Sequence, residues 1–130
     1  MATGTGVTPY RAFLPELRRR LADPKRSVDL VLGVRNPQEL LYGDDFRAMD
    51  EAFENFRFFA CYSRELPAQS GPRDMKGYVQ EHLDSLQPDP AHDVFYLCGN
   101  PGMIDSAAAY CETAGFPISN VRREKYVSSN

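Results

Sequence analysis

Two clusters of cationic and hydroxyl-bearing residues stand a dozen positions apart in the middle of the sequence. Ser63 and Arg64 come first, and Lys76 and Tyr78 follow after a loop rich in proline and glycine. A phosphate monoester suits two cations and a hydroxyl, since each charge-assisted hydrogen bond contributes about 1.5–3 kcal/mol. Two or three such bonds together could supply roughly 4 kcal/mol, about a thousandfold preference for a phosphorylated ligand. Taken separately, either cation is more typical of a solvated surface charge.

A glycine-rich turn near the start of the chain is a second candidate for phosphate binding. The run 3–9 contains Gly4 and Gly6 and leads directly into a predicted helix. Small residues let main-chain N–H groups approach a pyrophosphate, and the amino end of a helix adds partial positive charge. Most Gly-x-Gly pairs are simply tight turns, so the pattern alone leaves a phosphate site and a structural turn equally open.

Cys98 and Glu124 are the other side chains that could take part in a reaction. Cys98 closes a hydrophobic segment just before Gly99 and Asn100, where a strand is expected to pass into a helix. A cysteine in such a place is more often a small core residue than a reactive one. A glutamate in a strand-like stretch normally faces solvent. Neither residue therefore assigns a reaction by its type and position alone.

The elements that would position these residues alternate between helix and strand. Apolar periodicity predicts helices at 9–22, 44–53, 75–86 and 101–113, and strands at 28–34, 56–62, 94–98 and 121–127. The first helix would turn Phe13, Leu14, Leu17 and Leu21 inward. This order predicts one α/β domain over residues 1–130, with a parallel sheet covered by helices on both faces. Ligands of such sheets bind beyond the carboxyl ends of the strands, where the candidate residues would meet.

The composition argues against several classes of protein. Hydrophobic residues make up 42% and charged residues 25% of the chain, and no apolar run approaches the roughly 20 residues of a membrane span. A net charge of −3 disfavours nucleic acid as a partner. Cys61, Cys98 and Cys111 match neither a zinc pattern nor a disulfide framework. We therefore expect reduced thiols, a cytoplasmic location and no metal site.

In their order along nearly the whole chain, these segments resemble the NADP-binding domain of plant-type ferredoxin–NADP reductases. Each block is weak alone, but several in the right order are specific. The matching blocks are Gly4–Leu14 (pyrophosphate turn and first helix), Gly33–Arg35 with Leu40–Tyr42, Ser63–Glu65 with Lys76–Gln80 (adenosine 2′-phosphate pocket), Tyr96–Gly99 (loop beside the nicotinamide) and Glu124–Tyr126 (end of the domain).

The resemblance implies a Rossmann-like three-layer fold with strand order 3-2-1-4-5, and a role for each block. The residues that it implies for the 2′-phosphate are Ser63, Arg64, Lys76 and Tyr78. Tyr78 and Gln80 would lie beside the adenosine, and Thr5 and Gly6 along the path of the pyrophosphate and nicotinamide. Cys98 and Gly99 would lie against the nicotinamide, Glu124 would assist catalysis near the flavin, and Tyr126 would complete the cofactor site.

The resemblance also implies a function: hydride transfer between NADPH and FAD, with electrons exchanged with ferredoxin or flavodoxin. We expect NADPH because relatives that prefer NADH generally lack the Ser-Arg and Lys-x-Tyr pair. The family carries a flavin-binding domain before this one, and its first strand precedes the glycine turn. Only Met1 and Ala2 stand before Thr3, so we expect a first strand that is largely missing and a chain truncated at its N-terminus. FAD would then come only through a missing or separate domain, without which the chain would be inactive. The alternatives are a non-catalytic NADP(H)-binding or interaction module and an inactive remnant.

Overall fold

The sheet of this protein has six parallel strands in the computed structural model, which describes residues 1–125. The strands are β1 (Ala2–Thr3), β2 (Val28–Val34), β3 (Phe56–Tyr62), β4 (Asp74–Lys76), β5 (Phe95–Gly99) and β6 (Val121–Lys125). They lie in the order β4-β3-β2-β1-β5-β6, and every neighbouring pair is parallel. If the edge strand β4 is left out and β5 and β6 are counted as the fourth and fifth strands, this is the predicted order 3-2-1-4-5. The Rossmann-like fold is therefore confirmed, with one additional strand.

Helices cover both faces of the sheet and make it the middle of three layers. They are α1 (Thr8–Ala12), α2 (Leu14–Arg20), α3 (Gly43–Ala52) and α4 (Pro101–Thr113). On one face Met103, Ile104 and Ala107 of α4 pack in a buried cluster. On the other, Phe46 and Met49 of α3 are fully buried in a second cluster. Within residues 1–125, none of the helices has the length and apolarity needed to cross a bilayer.

Strands β2 and β3 form the centre of the packing because both of their faces are covered. They pair along their whole length, from Val28 opposite Phe56 to Val34 opposite Tyr62. Successive side chains of a strand point to opposite faces, so Val31 enters one buried cluster while Leu30 and Leu32 enter the other. This explains why both strands have near-continuous apolar sequences, as expected in a buried parallel sheet.

Strand β1 is two residues long and lies in the middle of the sheet. Ala2 is opposite Leu32 on one side and Cys98 on the other. The α-amino group of Met1 donates to the carbonyl oxygen of Tyr96 at 2.7 Å, and burial lowers the pKa of that amine to about 5. Strand β1 therefore occupies the central place that was predicted for the first strand.

The prediction of one continuous first helix over residues 9–22 is wrong. The chain forms two helices, α1 and α2, which meet at Phe13. Pro15 has no N–H to donate to the carbonyl group of Arg11, so one helix cannot run through this point. The break turns Phe13 outward, 58% exposed, whereas Leu21 is buried as predicted.

The predicted helix at 75–86 is also wrong. Asp74–Lys76 forms strand β4 on the edge of β3, and 3-10 turns follow at Val79–His82 and Asp84–Leu86. Gly77 has φ +111°, a backbone conformation that ends the strand and prevents a helix from starting at Lys76. Val79 and Leu83 are nonetheless buried, so the apolar spacing identified the inward side chains but not the type of element.

Candidate functional site

A cavity of about 920 Å³ opens at the carboxyl ends of the parallel strands. Each strand contributes the residues that directly follow or end it, because parallel strands all finish at the same edge of the sheet. The residues that line the cavity and carry the argument are Thr3, Arg35, Ser63, Tyr78, Gly99 and Asn100. The position and size are those expected of a binding site for an extended ligand.

Close packing of strand ends forms the floor of this cavity. The main-chain N–H of Asn100 donates to Thr3 Oγ1 at 2.8 Å. Gly99 has φ +127°, and a Cβ atom there would lie 2.8 Å from the carbonyl oxygen of Thr3. Only glycine readily adopts this positive φ and also leaves room for the carbonyl oxygen of Thr3. The main chain, and not a side chain, therefore faces the cavity at Gly99.

Gly6 lies behind this floor and is buried. A Cβ atom on Gly6 would lie 2.6 Å from the carbonyl oxygen of Cys98, so glycine is required for close approach to the end of β5. Within the described part of the chain, Gly4 lines the cavity and Gly6 does not. The side chain of Thr5 lies outside what the structure describes, and contact of either Thr5 or Gly6 with a ligand stays a prediction.

The two cation clusters of the sequence meet beside the cavity. Within the described residues Ser63 and Tyr78 line it, whereas Arg64 and Lys76 do not. The ammonium group of Lys76 donates to the main-chain carbonyl oxygen of Arg64. Main-chain bonds fix both segments: the N–H of Ser63 donates to the carbonyl of Val34 at 3.0 Å, and that of Gly77 to the carbonyl of Tyr62 at 2.9 Å. We call this place, formed by Ser63, Arg64 and Lys76, the cation corner.

The segment after β4 adds an aromatic ring and an unpaired acceptor to the wall. Tyr78 is 58% exposed, so its ring is open to stacking, and its N–H donates to Glu81 Oε2 at 3.3 Å. Gln80 Oε1 is buried and has no hydrogen-bond partner among the described residues. A buried oxygen without a donor is unusual. His82 Nε2 lies 2.8 Å from the Lys76 carbonyl oxygen and steadies this turn.

Arg35 and Glu39 line the same cavity, although the sequence did not indicate either as a site residue. Arg35 Nε donates to Glu39 Oε2 at 3.1 Å, and the Arg35 N–H donates to the same oxygen at 3.3 Å. Arg35 therefore holds the pKa of Glu39 below its usual value, and Arg64 acts in the same direction. The signal that could have found Arg35 is its place directly after β2, equivalent to that of Ser63 after β3.

The amino end of α4 forms another wall of the cavity, which the sequence did not predict. Asn100 Oδ1 accepts from the main-chain N–H groups of Gly102 at 2.8 Å and Met103 at 3.3 Å. Gly102, Met103 and Ser106 line the cavity. The amino end of a helix carries partial positive charge, so this wall favours the phosphate groups of a ligand.

The two candidate catalytic residues lie side by side. Cys98 on β5 is the register partner of Glu124 on β6. Cys98 is 4% exposed and has no disulfide, whereas Glu124 is exposed. Tyr126, the remaining predicted site residue, lies outside the described residues. Chemistry by Cys98 and Glu124 stays a prediction.

Comparison with known proteins gives a consistent picture. The family described as the oxidoreductase NAD-binding domain matches residues 1–109. The toluate 1,2-dioxygenase electron transfer component of Pseudomonas putida is 28% identical over 129 residues, which cover 99% of this chain and 37% of that protein. Ferredoxin–NADP reductase B of Sorangium cellulosum strain So ce56 is 32% identical over 134 residues, which cover 97% of this chain and 52% of that protein.

A solved structure agrees along almost the whole chain. The Amycolatopsis cytochrome P450 reductase GcoB has a TM-score of 0.78 and 25% identity, covering 99% of this chain and 37% of its own. The chain thus spans between about a third and about half of the length of the curated relatives that it matches.

Proposed function

This chain belongs to the oxidoreductase NAD-binding domain family, and from that premise we propose that it binds NADP(H) for a flavin-dependent reductase. In the complete enzyme, hydride passes between NADPH and FAD, and electrons are exchanged with ferredoxin or flavodoxin. FAD belongs to another domain of that enzyme. The protein acts in the cytoplasm, where its three free cysteines stay reduced.

The observation that carries the NADP(H) assignment is the hydrogen bond from the Lys76 ammonium to the Arg64 carbonyl. It links the side chain of Lys76 to the main chain of Arg64, 12 positions away in sequence, and Ser63, directly before Arg64, lines the cavity. Arg64 has no ion-pair partner within 4.0 Å among residues 1–125. Two cations and a hydroxyl without a bound carboxylate favour a dianionic 2′-phosphate.

The rest of the cavity fits the remaining groups of a dinucleotide. The exposed ring of Tyr78 would stack on the adenine, and Gln80, which lines the cavity, would lie beside the adenosine. The pyrophosphate would lie at Gly4 and the amino end of α4. The nicotinamide would reach Gly99 and Cys98, with Glu124 beside them and Tyr126 completing the site.

The relatives support the reductase part of the proposal. They include proteins named ferredoxin–NADP reductase and electron transfer component of a dioxygenase, which confirms the resemblance seen in the sequence. Since this chain spans only part of those proteins, the flavin, the electron acceptor and the reaction are proposed for the complete enzyme. NADPH supplies the hydride, and this chain binds and orients it.

Calorimetric titration of the protein with NADP⁺ and with NAD⁺ tests the assignment. We expect NADP⁺ to bind at least about a hundredfold more tightly, which corresponds to two charge-assisted hydrogen bonds. Arg64→Ala should remove most of that difference by weakening NADP⁺ alone. Arg19→Ala, which removes an exposed arginine of α2, is the matched control and should change neither affinity.

Two results would contradict the proposal. Equal affinity for NADP⁺ and NAD⁺ in the unmodified protein would remove the 2′-phosphate site. Loss of the difference in the Arg19 variant as well as in the Arg64 variant would show that the preference comes from total charge and not from the cation corner.

A further inference from the structure

A carboxylate stands beside the cation corner, where a phosphate-binding site would be expected to hold none. Glu39 ends the 3-10 turn Pro37–Glu39 and lines the cavity together with Ser63 and Tyr78. Its two oxygens face the Arg35 guanidinium, one of them at 3.1 Å from Nε. A bidentate arrangement of this kind fixes the carboxylate in direction as well as in distance.

Glu39 is electrostatically connected to both of the nearby arginines. Its pKa is lowered first by the hydrogen bond from the Arg35 side chain, and the charge of Arg64 contributes to the same shift. The arginines are also joined through the main chain, because the Arg64 N–H donates to the carbonyl oxygen of Arg35 at 2.9 Å. Glu39 therefore offsets part of the positive charge that Arg35, Arg64 and Lys76 present to a ligand.

A carboxylate has opposite effects on the two forms of a ribose. It accepts hydrogen bonds from free 2′- and 3′-hydroxyl groups, as acidic residues do in sites for non-phosphorylated dinucleotides. It repels a 2′-phosphate, which carries nearly two negative charges at neutral pH. Cations at the same place have the reverse preference. The cavity therefore combines one group that suits a diol with several that suit a monoester.

We propose that Glu39 is a specificity-determining residue that reduces discrimination between a ribose 2′-phosphate and a ribose 2′-hydroxyl, so that the phosphorylated nucleotide is preferred by less than the nearby cations alone would give. The inference rests on the proposed nucleotide-binding function. Arg35 is the positioning residue: it holds Glu39 against the cavity wall and neutralises part of its charge. Removing the charge of Glu39 should increase the preference for the 2′-phosphorylated nucleotide, and removing the charge of Arg35 should decrease it.

The test measures dissociation constants of 2′-phospho-AMP and AMP, which differ only in the group at issue. The proteins compared are the unmodified protein, Glu39→Gln and Arg35→Gln. Glutamine keeps the size of Glu39 and an oxygen acceptor, so that only the charge is lost. Glu54→Gln is the matched control, because Glu54 is exposed and lies just before β3, at the opposite edge of the sheet.

For Glu39→Gln we expect the ratio of the two dissociation constants to rise about tenfold in favour of 2′-phospho-AMP, as one unit charge near a dianion implies at a solvated surface. Arg35→Gln should lower the same ratio, and Glu54→Gln should leave it within twofold. The effect should shrink as ionic strength rises.

Other outcomes would reject either the specificity role of Glu39 or the nucleotide-binding function. A Glu39→Gln ratio within twofold of the original would overturn the specificity role and leave nucleotide binding intact. A shift in the same direction in the Glu39 and Arg35 variants would show a local distortion of the turn, which also overturns it. Failure of the unmodified protein to bind either nucleotide would instead reject the proposed function itself.

Discussion

Cys98 and Glu124 are register partners on the neighbouring strands β5 and β6. Directly opposed residues of parallel strands present their side chains to the same face of the sheet. The thiol of Cys98 is nearly buried, whereas the carboxylate of Glu124 is exposed. The two side chains to which the family resemblance implies a role in the reaction are therefore neighbours in space, with the carboxylate on the solvent side.

This placement predicts a selective effect of Glu124→Gln. When the protein is combined with a flavin domain, we expect hydride transfer from NADPH to slow by about a hundredfold, the lower end of the range for loss of a positioned proton-transferring group. NADP⁺ affinity should stay within twofold because Glu124 lies away from the cation corner. Stopped-flow absorbance of the flavin measures the rate, with Glu112→Gln as the control. Equal slowing in both variants would argue against a local role.

Lys76→Gln should weaken NADP⁺ binding by about tenfold or more, because it removes one charge-assisted hydrogen bond to the monoester. NAD⁺ affinity should remain within twofold. Lys76→Arg keeps the charge and is the matched variant. Calorimetry with both nucleotides separates the two effects. A parallel loss of NAD⁺ affinity would mean that Lys76 acts through its bond to the Arg64 carbonyl and not through the phosphate.

Gly99→Ala should destabilise the protein by about 2–4 kcal/mol, since it adds a steric clash to a strained φ. Gly115→Ala is an informative comparison, because Gly115 also has positive φ but no atom within 4 Å of the added methyl group. We expect a loss of only about 1 kcal/mol there. Urea unfolding followed by circular dichroism measures both. Similar losses would show that packing against Thr3 contributes little.

Asn100→Ala should lower the unfolding free energy by about 1 kcal/mol, the usual effect of removing an N-terminal cap. The two main-chain N–H groups that Asn100 Oδ1 now satisfies would lose their acceptor. Asn100→Asp retains the acceptor and adds a charge that suits the helix dipole, so it should preserve stability. Thermal unfolding of the three proteins distinguishes them. A cap-deleted variant as stable as the original would contradict the assignment.

Burial raises the pKa of the Cys61 thiol to about 12, from an ordinary value of 9.0. Between these values the native state holds a proton that the unfolded state releases, so this group's contribution to stability declines as pH rises from about 9 to about 12. At pH 8 we expect Cys61 to resist alkylation by iodoacetamide unless the chain unfolds. Peptide mapping after labelling, with and without urea, measures this. Rapid native labelling would contradict it.

The sequence predicted best the elements whose environment is uniform. The bounds predicted for β2, β3 and α4 agree with the structure, because strands buried on both faces and a capped helix carry strong local signals. The predicted first helix is interrupted at Pro15, which cannot donate a hydrogen bond to the carbonyl oxygen of Arg11. The apolar spacing on either side of Pro15 gives no sign of this break. The segment Asp74–Lys76 became a strand because it pairs with β3, a contact that apolar spacing along the chain cannot reveal.

The candidate site shows the same division. Arg64 and Lys76 could be grouped because their residue types suggest one ligand chemistry, and the family resemblance implied that they would converge. Glu39 was not identifiable, since a glutamate in a turn normally faces solvent. Its place in the cavity depends on the bend after β2 and on the bidentate contact with Arg35, and neither follows from spacing.

The turn that carries Arg64 is joined to the end of β2 by main-chain hydrogen bonds. The N–H groups of Ser63, Arg64 and Glu65 donate to the carbonyl oxygens of Val34 and Arg35. Side-chain replacements at Arg64 and Glu39 leave these bonds in place, so the local backbone should tolerate them. Coenzyme preference in this protein should therefore be open to redesign by exchanging a few surface side chains, without selection for compensating changes in the core.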